Sequence, residues 1–195
     1  MTTYDALAEV GKSLRNLIWK YISVDSVLNV DLTSADIIHA HPASTDNGKL
    51  CIFLYRMEED LYQNDLPWDD DGTSSSLGKP PITLNLYYMI APRYDTSLVD
   101  HILKDHLLLG KVMQIFYDNP VLRSPDLQGS LADETLNVRL TSPTLDEINK
   151  IWAMPDTNRY MIAAYYEVSP LRLDSSCSMD VKRVATFTPQ LDYKT

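Results

Sequence analysis

The stretch Ile82-Thr83-Leu84-Asn85-Leu86-Tyr87-Tyr88-Met89-Ile90-Ala91, residues 82–91, decides the fold of this chain. Apolar and more polar side chains alternate along it. This period of two predicts a strand, because successive side chains of a strand point to opposite faces of a sheet. The most apolar side chains share one face: Ile82, Leu84, Leu86, Tyr88 and Ile90. We therefore expect a half-buried strand that ends at Pro92.

A second strand precedes this one, over residues 50–57. Both of its faces are apolar, which favours a central strand that is covered on both sides. The faces consist of Leu50, Ile52 and Leu54, and of Cys51, Phe53 and Tyr55. Asn47-Gly48 directly before this strand is a turn signal.

Three segments have the spacing of amphipathic helices: residues 5–22, residues 97–118 and a short helix that begins at the capping box Thr144-Leu145-Asp146-Glu147. We expect the longest of them to bury Leu98, Ile102, Leu109, Met113 and Phe116, with Val99, Leu103 and Leu107 beside them. The short helix should bury Leu145, Ile148 and Trp152. Gly110 costs about 1 kcal/mol against Ala inside a helix, so we expect close packing or a bend there.

The remaining strand patterns cover residues 37–40, 136–140 and 159–168, and Ser169-Pro170 should end the last of these. Strands and helices thus follow one another in mixed order. This order predicts an α/β (α+β) fold in which helices pack on a mixed β-sheet.

A chain of 195 residues is the usual length of one domain. We expect a single domain over residues 1–175, with a long acidic loop at 58–81. Residues 176–195 lack a clear period and should form an irregular C-terminal tail that holds at most one short strand.

The charge of the chain excludes several kinds of partner. With 27 acidic and 17 basic residues the net charge is −10, so neither nucleic acid nor an anionic membrane surface is an expected partner. The N-terminus has no signal-peptide pattern, and no apolar run approaches the roughly 20 residues of a membrane helix. We expect cytoplasmic synthesis and no membrane insertion.

The sequence holds no credible catalytic, cofactor or metal site. It has neither a Walker phosphate loop nor a Gly-x-Gly-x-x-Gly motif. Asp69-Asp70-Asp71-Gly72 lacks the alternating acids and the final Glu of an EF-hand. His39 and His41 would point the same way in a strand, but zinc needs three or four ligands. A small metal-dependent enzyme that uses these two histidines is therefore the least favoured alternative.

Two features favour contact with another protein. A long loop in a compact domain is usually either functional or disordered, and Trp68 within it suits a contact hot spot. The tyrosine pairs at 87–88 and 165–166 each place one ring on the far side of the sheet, where a helix or a neighbouring subunit must cover it. The candidate interface residues are Glu58, Glu59, Leu61, Leu66, Trp68, Asp69, Asp70, Asp71, Tyr87 and Tyr165.

Four motifs, taken in order, resemble one known family. They are Lys49–Met57, Pro80–Ile90, Leu109–Leu122 with the following Ile151-Trp152, and Arg159–Leu171. Together they are similar to the tube-terminator (cap) proteins of phage-tail-like contractile injection systems. The motifs are structural rather than catalytic, and the resemblance extends from about Tyr4 to Ser175.

The resemblance implies a structural assembly protein with a tail-terminator fold and no enzyme activity. It implies a homo-oligomeric, hexameric ring at the end of the particle distal to the baseplate, assembled in the cytoplasm. Such a ring would stop growth of the inner tube and contact the last ring of sheath protein. A monomeric adaptor that binds one partner protein is the alternative that needs no ring.

Overall fold

The computed structural model describes residues 3–25, 28, 32–44, 46–61, 76–93, 100–153 and 160–180. The helices are α1 (Ala6–Ile22), α2 (His101–Asp118) and α3 (Leu145–Ala153). The strands are β1 (Ile37–Ile38), β2 (Leu50–Glu59), β3 (Ser76–Gly78), β4 (Ile82–Pro92), β5 (Val121–Leu122), β6 (Leu136–Thr141), β7 (Ala164–Leu173) and β8 (Ser178–Asp180).

Six of these strands form one mixed sheet in the order β1-β2-β4-β7-β6-β5. The β1–β2 pair is parallel, and every other pair in this sheet is antiparallel. The α+β fold expected from the sequence is confirmed, with the 82–91 stretch at its centre as β4.

The sheet is covered on both faces. On one face α1 and α2 close the main core, whose largest fully buried side chains include Leu14, Ile18, Leu86, Ile90 and Phe116. On the other face α3 closes a smaller cluster of Met89, Ile151, Trp152 and Tyr165. The sheet thus has helices on both sides, two on one and one on the other.

The segment expected as a loop over 58–81 is structured at both ends. Strand β2 continues to Glu59, and β3 pairs antiparallel with β8 in a separate two-stranded sheet. The tail therefore contributes a short strand within 176–195. The rest of the loop, residues 62–75, and the rest of the tail, 181–195, lie outside the described residues.

The expected end of the last long strand at Ser169-Pro170 is wrong. Strand β7 begins at Ala164 and continues through a cis Ser169–Pro170 peptide to Leu173. The ladder between β4 and β7 is irregular at this point, where its register shifts between Leu84 and Leu86. A proline, which has no N–H to donate, is accommodated at such an irregularity.

The buried side of α2 also differs from the expected stripe. The helix buries Leu108, Leu109, Val112, Ile115 and Phe116. Ile102, Leu103 and Leu107 are 57%, 59% and 59% exposed. All the buried side chains lie from Leu108 onward, so the first two turns of α2 contribute none to the core. Leu145 of α3, also expected to be buried, is exposed.

Two glycines provide a direct test of this packing. A Cβ at Gly110 would meet no atom within 4 Å, so the expected close packing there is wrong. A Cβ at Gly48 would lie 2.5 Å from Cγ1 of Ile38.

We expect Gly110→Ala to raise the free energy of unfolding by about 1 kcal/mol. Gly48→Ala should lower it by about 1–3 kcal/mol through overpacking. Urea titrations of the two variants check both signs, and a neutral Gly48→Ala would contradict the close approach of Ile38 to Gly48.

Candidate interaction surfaces

Arg56 brings together two of the residues that the sequence marked as interface candidates. Its Nη2 lies 2.5 Å from Oε1 of Glu58, and its guanidinium carbon lies 4.6 Å from the centre of the Tyr87 ring. Hydrogen bonding to Arg56 lowers the pKa of Glu58. A charged and aromatic cluster therefore sits on the outer part of β2.

Helix α3 joins this cluster through Glu147. Nη1 of Arg56 donates to Oε1 of Glu147 at 3.2 Å. The capping box holds Glu147 in place, because its Oε2 accepts from the Thr144 N–H at 2.8 Å. This bond also lowers the pKa of Glu147. Both partners are about two-fifths exposed, and exposed ion pairs contribute little to stability. The cluster therefore links β2 to α3 but adds little to stability.

Tyr165 is covered by the chain itself. It is 6% exposed, and its Oη accepts a hydrogen bond from Nε1 of Trp152 at 3.2 Å. Of the two covers that the sequence left open, a helix or a neighbouring subunit, the structure contains the helix. Tyr165 therefore offers almost no surface to a partner, whereas Tyr87 remains partly exposed.

The other interface candidates lie at the end of β2 or among residues 62–75, which are outside the described ranges. Glu59 ends β2, and Leu61 follows it with 71% of its surface exposed. Leu66, Trp68 and Asp69–Asp71 lie outside the described residues.

The two histidines of the metal hypothesis lie on opposite faces of the sheet. The position of a Cβ on Gly11 of α1 would be 3.2 Å from Cε1 of His39. The ring of His41 instead lies 5.5 Å from that of Trp152 on α3. The expected common direction is wrong because β1 ends at Ile38, so His39 and His41 do not belong to a strand. Within the described ranges no three His, Cys, Asp or Glu side chains form a metal-binding group.

An apolar groove that the sequence did not reveal lies between the end of α2 and the outer strand β6. Its volume is about 600 Å³. It is lined by Met113, Phe116, Tyr117, Pro120, Val138, Leu140 and Tyr166. Burial raises the pKa of Tyr166 to about 12, so its hydroxyl stays neutral. The only available signal was that α2 carries more apolar residues than one buried stripe can hold.

A second groove, of about 420 Å³, lies at the opposite end of the sheet between α1 and β2. It is lined by Leu7, Ala8, Gly11, Lys12, His39, Ile52, Phe53, Leu54 and Tyr88. Both grooves open on the sheet face that α1 and α2 cover. The arrangement suits contact with the apolar surface of another protein at both edges of the sheet.

The thiol of Cys51 is buried, and this burial raises its pKa to about 11, so it is poorly reactive. None of the described helices is long and apolar enough to cross a membrane.

Comparison with known proteins places these surfaces in context. The family model of the Pvc16 N-terminal domain matches residues 9–186. The sheath/tube terminator of the extracellular contractile injection system PVC, in the extended state, has a similar fold. It is 15% identical, the alignment covers 100% of this chain and 66% of that one, and the TM-score is 0.65. The tube terminating cap of the anti-feeding prophage is 16% identical, with 98% and 62% covered and a TM-score of 0.59. No curated protein matches the sequence. The chain spans about two thirds of the length of these two structures.

The two histidines beside the sheet, His39 and His41, predict a pH dependence. Burial lowers the pKa of both His39 and His41. Histidine in the unfolded chain has a pKa near 6.5, so below about that pH the unfolded chain binds more protons than the folded chain. The free energy of unfolding therefore falls as the pH drops below about 6.5. We expect the Tm to fall between pH 7.5 and pH 5.5, and to fall less in the double variant His39→Gln, His41→Gln. If Tm falls equally with pH in the wild type and in the double variant, these histidines are not the cause.

Proposed function

The chain belongs to the family of Pvc16 N-terminal domains, and from that premise we propose that it is a structural cap. It terminates the inner tube of a phage-tail-like contractile injection system. The support is the family match over residues 9–186, together with a fold shared with a sheath/tube terminator and a tube terminating cap. On this proposal the chain performs no catalysis.

The proposed cap is a hexameric ring at the end of the particle distal to the baseplate. The ring binds the last ring of tube protein, stops further growth of the tube and contacts the last ring of sheath protein. Assembly takes place in the cytoplasm. The net charge of −10 suits protein partners rather than nucleic acid.

One observation carries the proposal beyond the family match: the chain leaves large apolar side chains in water. The outer face of α2 exposes Ile102, Leu103 and Leu107 by more than half, and Tyr117 by 85%. A contiguous exposed apolar patch on a soluble protein marks an interaction site. In the assembled particle a neighbouring protein covers this face.

The segment from Glu58 to Asp71 is a second proposed contact. Its described start is charged and exposed, with Glu58 tied to Arg56 and Leu61 pointing to solvent. Trp68 and the acids Asp69, Asp70 and Asp71 follow in the sequence. An aromatic anchor among charges is a composition that suits a contact with tube or sheath.

Tube growth in the presence of the purified chain tests the function. We expect the chain to bind one end of preformed inner tubes and to stop addition of further tube protein, as seen by electron microscopy of tube lengths. A chain that stays monomeric and leaves tube ends bare would contradict the cap and favour an adaptor.

Variants of α2 test the proposed contact face separately. Leu103→Glu with Leu107→Glu places two charges on the exposed apolar face and should weaken binding to tube ends by about tenfold or more, because a buried unpaired charge is costly. Asn149→Glu, at an exposed position of α3 on the other side of the sheet, is the control and should bind normally. Capping at full strength by the double Leu variant would show that this face is not a contact.

A further inference from the structure

Each edge of the six-stranded sheet has a stretch that no described strand covers: β2 beyond Cys51 and β6 beyond Val138. Strand β1 pairs only with Leu50 and Cys51 of β2, and β5 pairs only with Leu136 and Asn137 of β6. Beyond these residues, no strand within the described ranges pairs with the outer edge of β2 or of β6. An open strand edge is a template for pairing with another chain.

The backbone of each edge presents its hydrogen-bonding groups at one defined residue. The N–H of Asp60 donates to the carbonyl of Thr83 on β4 at 2.8 Å, so this N–H points inward, toward the middle of the sheet. Because the direction alternates along a strand, the N–H and C=O of Met57 point outward. The N–H of Val138 donates outward, to the carbonyl of Pro120 at 2.8 Å, so the backbone groups of Leu140 point outward as well.

The side chains at these two residues match. Met57 lies opposite core residue Leu86 and is 50% exposed. Leu140 lies opposite core residue Tyr166 and is 56% exposed. Both side chains therefore project on the face that α1 and α2 cover, and each is a large apolar group left at the rim of the sheet.

The adjoining residues carry opposite charge. Glu58 follows Met57 and Arg139 precedes Leu140, so both lie on the α3 side of the sheet. In an antiparallel pair that sets Met57 opposite Leu140, Glu58 falls opposite Arg139. Arg139 is exposed, so the carboxylate of a neighbouring copy can reach it.

We propose that the β2 edge of one copy pairs antiparallel with the β6 edge of the next copy, with Met57 opposite Leu140 and Glu58 opposite Arg139. Strands β2 and β6 run in opposite directions, since three antiparallel pairings separate them. A head-to-tail contact of this kind uses two different surfaces of each copy and closes into a ring when the rotation allows. The inference rests on the proposed cap and supplies its subunit contact.

The two apolar grooves support a second copy as the occupant. One groove lies beside the β2 edge under α1, and the other lies beside the β6 edge under α2. Joining the edges places the grooves next to each other on one face of a continuous sheet. The α2 helix of one copy and the α1 helix of the next then flank a single apolar floor, which neither copy can build alone.

Disulfide cross-linking tests the pairing. The variant carries Met57→Cys and Leu140→Cys, with Cys177→Ser because Cys177 is exposed, and Cys51 stays buried. Directly opposed residues of this kind have Cα atoms about 5.5 Å apart, which a disulfide can bridge. Mild oxidation of concentrated protein, and of protein bound to tube ends, should give a ladder of dimers, trimers and larger species. Each single-cysteine variant should stay unlinked.

The controls separate this contact from other modes of association. A dimer from one single-cysteine variant would indicate a two-fold contact and overturn the head-to-tail pairing. Met57→Cys with Leu103→Cys, a residue of similar exposure on α2, should give no ladder. Absence of a ladder from the paired variant both in solution and on tube ends would also overturn the proposal. If the wild type still caps tubes in that case, the function stands and only the subunit contact is wrong.

Charge exchange provides a second measurement that does not depend on cysteine geometry. Glu58→Arg alone sets two arginines against each other at every contact, and Arg139→Glu alone sets two glutamates. Each variant alone should lose ring formation, whereas an equal mixture should regain it, because the two variants can alternate around a ring. A mixture no better than its components, measured by light scattering, would contradict the Glu58–Arg139 pairing.

Discussion

The rest of the structure depends on burying both faces of β4. Leu86, Tyr88 and Ile90 lie under α1 and α2, while Met89 lies on the opposite side with the α3 cluster. Three helices suffice to cover the middle of the sheet, because β4 and β7 occupy its centre. Among the described strands only β1 and β5 lie outside β2 and β6, and with two residues each they cover only part of the two rims. A protected centre and exposed edges are therefore two results of one layout.

The exposed edges carry features that would limit indiscriminate association. Charged side chains on edge strands discourage pairing with unrelated chains. On β2 this role falls to Arg56 and Glu58, which α3 holds in place through Glu147. Arg139 has the corresponding position on β6. Opposite charges at matched positions contribute more to the choice of partner than to raw affinity. Selective edges of this kind suit a chain that joins copies of itself at one defined place.

The sequence predicted those parts of the fold in which local pattern and tertiary burial agree. The alternation over 82–91 and the capping box at Thr144–Glu147 both gave the observed elements. Helix α2 carries apolar residues on more than one side, so periodicity alone could not show which side is buried. The helix buries Leu108 and Val112 rather than Ile102. Burial of Tyr165 under α3, and the separation of His39 from His41, depend on contacts between distant segments. Such contacts leave no trace in local spacing, so the grooves and open edges required the structure.

The central claim is that surface left uncovered in the single chain becomes covered on assembly, and hydrogen exchange tests it most directly. The amides of Met57 and Leu140 point outward from open edges, whereas the amide of Val138 is already bonded to Pro120. We predict rapid exchange at Met57 and Leu140 in the isolated chain and strong protection of both on capped tubes, with Val138 protected throughout. Equal, rapid exchange at Met57 and Leu140 before and after binding to tube ends would contradict the account.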